Sequence, residues 1–117
     1  MELGMRISWG KVGFGKEKEA IAMFEDALTY YGKKIADGKL TYFEPFFTAT
    51  GELTADAGFF IVKGPVAEIF TILEDPYYKE LNTRAFYLLE HFKVDLLNVG
   101  EEIQNQMKRF EKVVATY

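Results

Sequence analysis

The stretch Gly58-Phe59-Phe60-Ile61-Val62-Lys63 decides the fold, because it has the composition of a β-strand and is apolar on both faces. Successive side chains of a strand point to opposite faces of its sheet. Phe59 and Ile61 are therefore expected on one face. Phe60 and Val62 are expected on the other, so both faces of the sheet need a cover.

A second segment, from Leu40 to about Thr48, repeats this pattern. Its apolar side chains divide into two sets: Leu40, Tyr42 and Phe46 on one face, Phe43 and Phe47 on the other. Pro45 lies within the segment and cannot donate a backbone hydrogen bond, which predicts an edge or bulged strand.

Composition limits the classes of function. The chain has 117 residues, 49% hydrophobic and 16% aromatic, a net charge of −4, no cysteine and one histidine, His91. Disulfides, thiolate catalysis and cysteine zinc sites are excluded, and we predict neither a cofactor nor a metal. The acidic balance argues against nucleic acid and anionic lipid as partners. No apolar run approaches a membrane span, and no signal peptide is visible at Met1, so we expect a soluble cytoplasmic protein.

The remaining elements follow from periodicity and from start and stop signals. Met5 to Val12 is predicted as the first strand, with Met5, Ile7 and Trp9 on one face. Helices are predicted over Glu17 to Ala36, over Pro65 to about Phe92 with a break at Asp75-Pro76, and over Glu101 to about Thr116. The last strand is predicted from Lys93 to Val99. The last helix carries an apolar stripe that we expect to pack on its own subunit or on a partner: Ile103, Met107, Phe110, Val114 and Tyr117.

The order β-α-β-β-α-β-α predicts an α+β protein, one ferredoxin-like domain over residues 1–117 with an extra C-terminal helix. Helices on one side leave the other sheet face open. An apolar face of that size exceeds what a soluble monomer normally exposes. We therefore predict a homodimer, or a higher oligomer, that buries this face against a second copy.

The arrangement resembles the dimeric α+β barrel superfamily. The strand-to-helix junction Lys11–Ala20 is similar to the Lys-x-Gly-x-Glu entry of domains related to antibiotic-biosynthesis monooxygenases. The broken helix Glu74–Leu81 is similar to an Asp-Pro-aromatic segment of several branches. The resemblance implies a dimer whose two sheets face each other. Members include enzymes, haem degraders and proteins without known activity, so it says little about chemistry.

Three more specific alternatives fit the sequence poorly. Gly10 to Lys16 has the letters of a phosphate loop, but Glu17 stands where a hydroxyl should ligate magnesium, so we expect no tight nucleotide binding. The βαββαβ order is shared with RNA-recognition motifs, but the third strand lacks their basic and small residues. Haem-degrading barrels use an Asn, a Trp and a His; here Trp9 and His91 are present, but the first strand has no Asn.

The candidate ligand-binding residues are polar or aromatic side chains on predicted strands, together with the histidine: Arg6, Ser8, Trp9, Tyr42, Glu44 and His91. The alternatives are that Arg6 and Glu44 form an ion pair and that His91 is a charge at a helix C-terminus. We expect a homodimeric α+β barrel that binds a small, partly apolar ligand. The alternatives are a cofactor-independent oxygenase or isomerase, and a structural or regulatory oligomer without a pocket.

Overall fold

A computed structural model describes residues 1–117. In chain order the elements are β1 (Glu2–Trp9), α1 (Glu17–Ala36), β2 (Tyr42–Phe47), β3 (Gly58–Pro65), α2 (Val66–Glu74), α3 (Pro76–Leu88), β4 (Lys93–Asn98) and α4 (Glu101–Ala115). The strands form one sheet in the order β2-β3-β1-β4, and each neighbouring pair is antiparallel. This is the predicted ferredoxin-like α+β fold.

The strand register assigns each side chain to a face. Met5 pairs with Val62 and Ile7 with Phe60, and all four are buried on the side covered by α1, α2 and α3. Phe59 and Ile61 lie on the opposite side, which we call the open face. β2 is an edge strand, as Pro45 predicts, and Pro45 pairs with Phe60.

The core lies between the sheet and the three inner helices. Ile69 and Ile72 of α2 and Tyr31 of α1 are almost fully buried there. Fully burying a large apolar side chain contributes about 1.5–3 kcal/mol, so these helices are held mainly by this contact rather than by helix propensity.

Asp75 caps α3 and also joins it to α1. Its side chain accepts a hydrogen bond from the Tyr77 backbone N–H at 3.0 Å, and Pro76 occupies the first turn, as the sequence predicts. The Tyr30 hydroxyl donates to the same carboxylate at 2.6 Å. This bond first, and the Tyr77 N–H second, lower the pKa of Asp75.

Four of the seven tyrosines are expected to stay protonated at a pH where free tyrosine ionises. Burial raises the pKa of Tyr30, Tyr31 and Tyr78, and a hydrogen bond to Glu44 raises that of Tyr42. Because the folded state holds these protons more tightly, their contribution to stability is complete below pH ~10 and is lost as the pH rises above it. Absorbance at 295 nm should rise less at pH 10 in the native protein than in guanidinium. Coincident titration curves would contradict this assignment.

Several sequence predictions need correction. Leu40 precedes β2 and is buried in the core, so it does not share a face with Tyr42. The apolar spacing of the helix after Pro65 predicts that Phe70 faces the core with Ile69, but Phe70 is 52% exposed and Ile72 is buried instead. β1 runs from residue 2 to 9 rather than from 5 to 12, because Gly10 N–H bonds to the Glu90 carbonyl outside the sheet.

α4 lies apart from the body of its own chain. None of its residues is buried, so the predicted packing on its own subunit is wrong. The radius of gyration is 16.3 Å, whereas a compact chain of this length has about 13 Å. The principal dimensions of 54 × 35 × 23 Å express the same elongation. The predicted packing on a partner is the option that remains.

Candidate ligand-binding cavity

A cavity of about 560 Å³ lies between the covered face of the sheet and helices α1 and α3. Ile7, Trp9 and Phe60 form its floor, and 16 of its 19 lining residues are hydrophobic. Small-molecule sites typically have volumes of about 300–1,000 Å³ and mostly apolar walls. The cavity therefore has the size and the lining of a ligand site.

Small side chains on the facing helices keep this space open. Ala20 and Ala27 of α1 and Ala85 of α3 line the cavity, and each presents only a methyl group where larger apolar residues would meet. Protein interiors are otherwise packed as densely as organic crystals. The three alanines thus account for a void inside a sheet-helix core.

Aromatic rings line the cavity on its sheet side. The Trp9 ring lies 5.0 Å from the Phe60 ring and 6.1 Å from that of Phe24, both edge-on. Phe47, which is 66% exposed, adds a third edge-on contact at 6.2 Å. Edge-to-face and offset arrangements are those that aromatic pairs prefer, so a planar ligand would find matching surfaces here.

The inner polar groups of the cavity offer hydrogen bonds without charge. Burial, followed by the neighbouring Tyr78 and Tyr30, raises the pKa of Tyr31 well above its ordinary value. Its hydroxyl is therefore a neutral donor at physiological pH. The amide of Asn82 also lines the cavity and can both donate and accept.

The charged lining residues lie at the opening. Glu17 and Glu25 of α1 are exposed, and Ile21 between them is 61% exposed. Because these are the lining residues of α1 that reach solvent, they mark the mouth. A ligand entering here would pass two carboxylates and reach neutral hydrogen-bonding groups inside.

The structure does not bring the six predicted ligand residues together. Trp9 lines the cavity, whereas Arg6, Ser8, Tyr42 and Glu44 lie on the open face, as the strand register places them. Their role in ligand binding stays a prediction.

Arg6 pairs with a different partner from the one predicted. Its guanidinium lies 3.1 Å from the Asp56 carboxylate and 4.6 Å from the centre of the Phe59 ring. Glu44 accepts a hydrogen bond from the Tyr42 hydroxyl instead. The expected Arg6–Glu44 pair is absent because Ile61 stands between them in the register.

Ser8 and His91 have unexpected surroundings. Ser8 is 2% exposed and its hydroxyl has no hydrogen-bond partner. His91 does not end a helix: it follows α3 in an exposed turn, with φ of 56°. Its charge contributes to lowering the pKa of Glu52, after the hydrogen bonds from Thr54 and Ala55.

The glycine-rich segment before α1 serves packing. The Lys16 ammonium lies 3.7 Å from the centre of the Tyr87 ring and donates to the Tyr87 carbonyl at 3.3 Å, so it is engaged within the chain. A Cβ at Gly10 would come within 2.1 Å of the Thr54 carbonyl oxygen. The segment thus makes a close backbone contact, and the expected absence of tight nucleotide binding stays a prediction.

No group of three or more His, Asp or Glu side chains is arranged to hold a metal ion. No helix has the length and apolar character needed to cross a bilayer.

Comparison with known proteins supports the fold. No family model and no curated protein sequence matches the chain. Solved structures do. A dimeric ferredoxin-like protein of unknown function from Jannaschia sp. matches with a TM-score of 0.60 at 15% identity, covering 85% of this chain and 100% of that one. A dabb family protein with a ferredoxin-like fold from Mesorhizobium loti has a TM-score of 0.57 at 14% identity, covering 85% and 98%.

A mutant of SnoaB, a cofactor-independent oxygenase from Streptomyces nogalater, matches with a TM-score of 0.57 at 10% identity, covering 84% and 90%. Together with the topology, these likenesses define the class of the chain as a ferredoxin-like α+β fold. At these identities they show the fold alone.

Proposed function

We propose that the protein is a homodimeric α+β barrel in which each protomer binds a small, partly apolar, uncharged ligand in the cavity between the sheet and helices α1 and α3. The observation that carries the proposal is the 560 Å³ cavity with its almost wholly hydrophobic lining. The cytoplasmic location expected from the sequence remains a prediction.

The open face has the properties of a self-association surface. Phe46 and Phe59 stack with their ring centres 5.0 Å apart, and Ile61 lies beside Phe59 along β3. Beyond β1, Leu97 pairs with Gly4 on the same side. Phe46, Phe59 and Ile61 thus form an apolar patch on β2 and β3, whereas β1, which is polar on this side, separates Leu97 from that patch. An exposed apolar patch rimmed by polar residues is typical of an interaction surface.

Two of the positive charges on the open face are paired with carboxylates of the same chain, whereas Glu44 has the Tyr42 hydroxyl as its hydrogen-bond partner. Arg6 pairs with Asp56, and Lys93 lies 3.7 Å from Asp95. The Lys63 ammonium lies 4.6 Å from the centre of the Tyr42 ring. Burying a charge is unfavourable unless it is paired, so this face is suited to contact a second copy. Solved structures of the same fold that are described as dimeric add support.

The binding experiment uses the only tryptophan of the chain. Because Trp9 lines the cavity, a bound aromatic quencher should act directly on its fluorescence. We expect 1-nitronaphthalene to quench Trp9 saturably with a Kd of about 100 μM or below, or about −5.5 kcal/mol. Ala27→Leu should weaken binding at least tenfold by filling the cavity. Ala22→Leu, exposed on the same helix, is the matched control. Linear, unsaturable quenching in the folded protein would refute the binding proposal.

The mouth carboxylates are expected to select against anions. The anionic analogue 4-nitro-1-naphthoate should bind more weakly than neutral 1-nitronaphthalene, because Glu17 and Glu25 repel its carboxylate at the mouth of the cavity. Glu25→Gln should reduce the ratio between the dissociation constants of the anionic and the neutral probe about threefold to tenfold. Glu19→Gln, exposed on α1 and outside the cavity lining, should leave it unchanged. Equal affinities for both probes in the wild type would contradict the proposed ligand class.

The alternative, an oxygenase or isomerase that needs no cofactor, stays a prediction. Its substrate would occupy the same cavity. Tyr31 would remain a donor, so Glu17 or Glu25 would have to act as the base. Oxygen uptake or isomerisation with a bound bicyclic phenol, lost in Glu17→Gln or Glu25→Gln, would favour this alternative over binding alone.

A further inference from the structure

We propose that α4 is an arm whose apolar stripe packs on a helix of a second copy of this chain. The inference rests on the proposed homodimer and adds a second contact to the open face. Its stripe is exposed within the chain: Ile103 is 51%, Met107 53%, Phe110 63% and Val114 54% exposed. This 15-residue helix has no buried residue and is joined to β4 by a hydrogen bond that Asn98 donates to Gln106 at 2.9 Å; a helix of this length without packing would be marginal in water.

The spacing of the stripe indicates a helix as the counterpart. Ile103, Met107, Phe110, Val114 and Tyr117 are separated by alternating steps of four and three residues. Heptad spacing of this kind is typical of the narrow apolar seam along which one helix packs against another.

The flanks of the stripe point to an identical copy as the occupant. The residues beside the seam are Gln104, Gln106, Glu111 and Val113, with only one charge among them. The basic residues Lys108, Arg109 and Lys112 lie on the other side of the helix. Two equal surfaces therefore meet without like-charge repulsion, whereas a strongly charged partner would find no complementary charges along the seam.

The area of the open face leaves room for this second contact. Four strands at about 4.8 Å spacing and six residues at about 3.4 Å give a footprint of about 400 Å² per protomer, or about 800 Å² in total. Stable dimers bury about 1,200–2,000 Å². An α4 helix is about 22 Å long and 10 Å wide, so two arms that pack on each other would add roughly 440 Å² and bring the total to about 1,200 Å², the lower end of that range.

The position of α4 makes the arm reach outward. β4 is the edge strand opposite β2, and Gly100, with φ of 58°, directs the chain away at its end. The helix is long enough to cross a neighbouring four-stranded sheet, which is about 19 Å wide. The sheet-face dimer would bring a second copy within its reach.

Single cysteines test the inference, because the chain has none of its own. Val114→Cys places a thiol in the stripe. Lys112→Cys, two residues away on the outer side, is the matched control for fraying of the helix end. In purified protein at 100 μM, a maleimide should label Val114→Cys at least tenfold more slowly than Lys112→Cys. The difference should vanish on dilution to the monomer.

Sedimentation of the same samples separates the possible failures. Equal labelling rates in a sample that sediments as a dimer would overturn the arm and leave the open-face dimer standing. A sample that sediments as a monomer at 100 μM would overturn both, whereas probe binding to Trp9 would still report on the cavity. Protection that persists in the monomer would place α4 on its own chain and also overturn the arm.

A second pair of variants tests the energetics of the contact. Met107→Gln combined with Phe110→Gln should weaken association at least tenfold. Lys108→Gln combined with Lys112→Gln should leave it within twofold, because those residues lie outside the seam. Equal effects of the two pairs would contradict the proposal.

Discussion

Trp9→Ala is expected to lower the free energy of unfolding by about 3–5 kcal/mol, the range for truncating a large buried aromatic residue. Trp9 is 8% exposed and its ring meets those of Phe24, Phe47 and Phe60. The sheet is shaped around it: a Cβ at Gly58 would come within 2.7 Å of the Trp9 ring. Chemical denaturation followed by far-UV circular dichroism measures the loss.

Phe86→Ala is the control for that measurement. Phe86 is 76% exposed on α3, so its truncation should change stability by no more than about 0.5 kcal/mol. A loss below about 1 kcal/mol for Trp9→Ala would contradict the placement of this ring in the core.

Ile61→Asp is expected to weaken self-association at least a hundredfold. Ile61 lies in the interior of the open face, between Arg6 and Glu44 in the register. In a two-fold dimer each substitution acts twice. The neighbouring Arg6 is already paired with Asp56, and a buried charge that lacks a partner of its own costs about 3–5 kcal/mol. Ala67→Asp, exposed on α2, introduces the same charge away from this face and should leave the dimer intact. A folded Ile61→Asp protein that still dimerises normally would exclude this face as the interface.

The fold follows closely from local patterns. α1 was predicted with the boundaries that the structure has, because its apolar spacing and its Asp37-Gly38 stop are both local signals. The break at Asp75-Pro76 was predicted for the same reason. The limits of β1 were less accurate, since its end depends on bonds from Gly10 and Lys11 to the distant residues Glu90 and Thr54.

The cavity was not predictable to the same degree. The helix stripes were expected to be core, and an alanine that leaves a void, such as Ala27, has the same sequence signal as one that allows close packing. Trp9 was chosen as a candidate ligand residue and does line the cavity. Tyr31 and Asn82 are not among the ligand-binding residues predicted from the sequence, because only the tertiary packing of α1 and α3 brings them to the same cavity.

The polar residues of the strands illustrate the opposite case. Alternation places Arg6 with Ser8 on one face of β1, and Tyr42 with Glu44 on one face of β2. The strand register of the structure then puts the two pairs on the same face of the sheet. Alternation does not reveal which side the helices cover, so a shared face was interpreted as a possible pocket. The sequence of the Thr48–Ala57 connection also gave no sign that Asp56 would take Arg6 as its partner.

Sedimentation velocity of the wild-type protein tests the central claim most directly, namely that a second copy covers the open face. Over the micromolar range we expect a species of twice the 13.4 kDa chain mass, with the monomer appearing only on strong dilution. A soluble, folded monomer at 100 μM would contradict it.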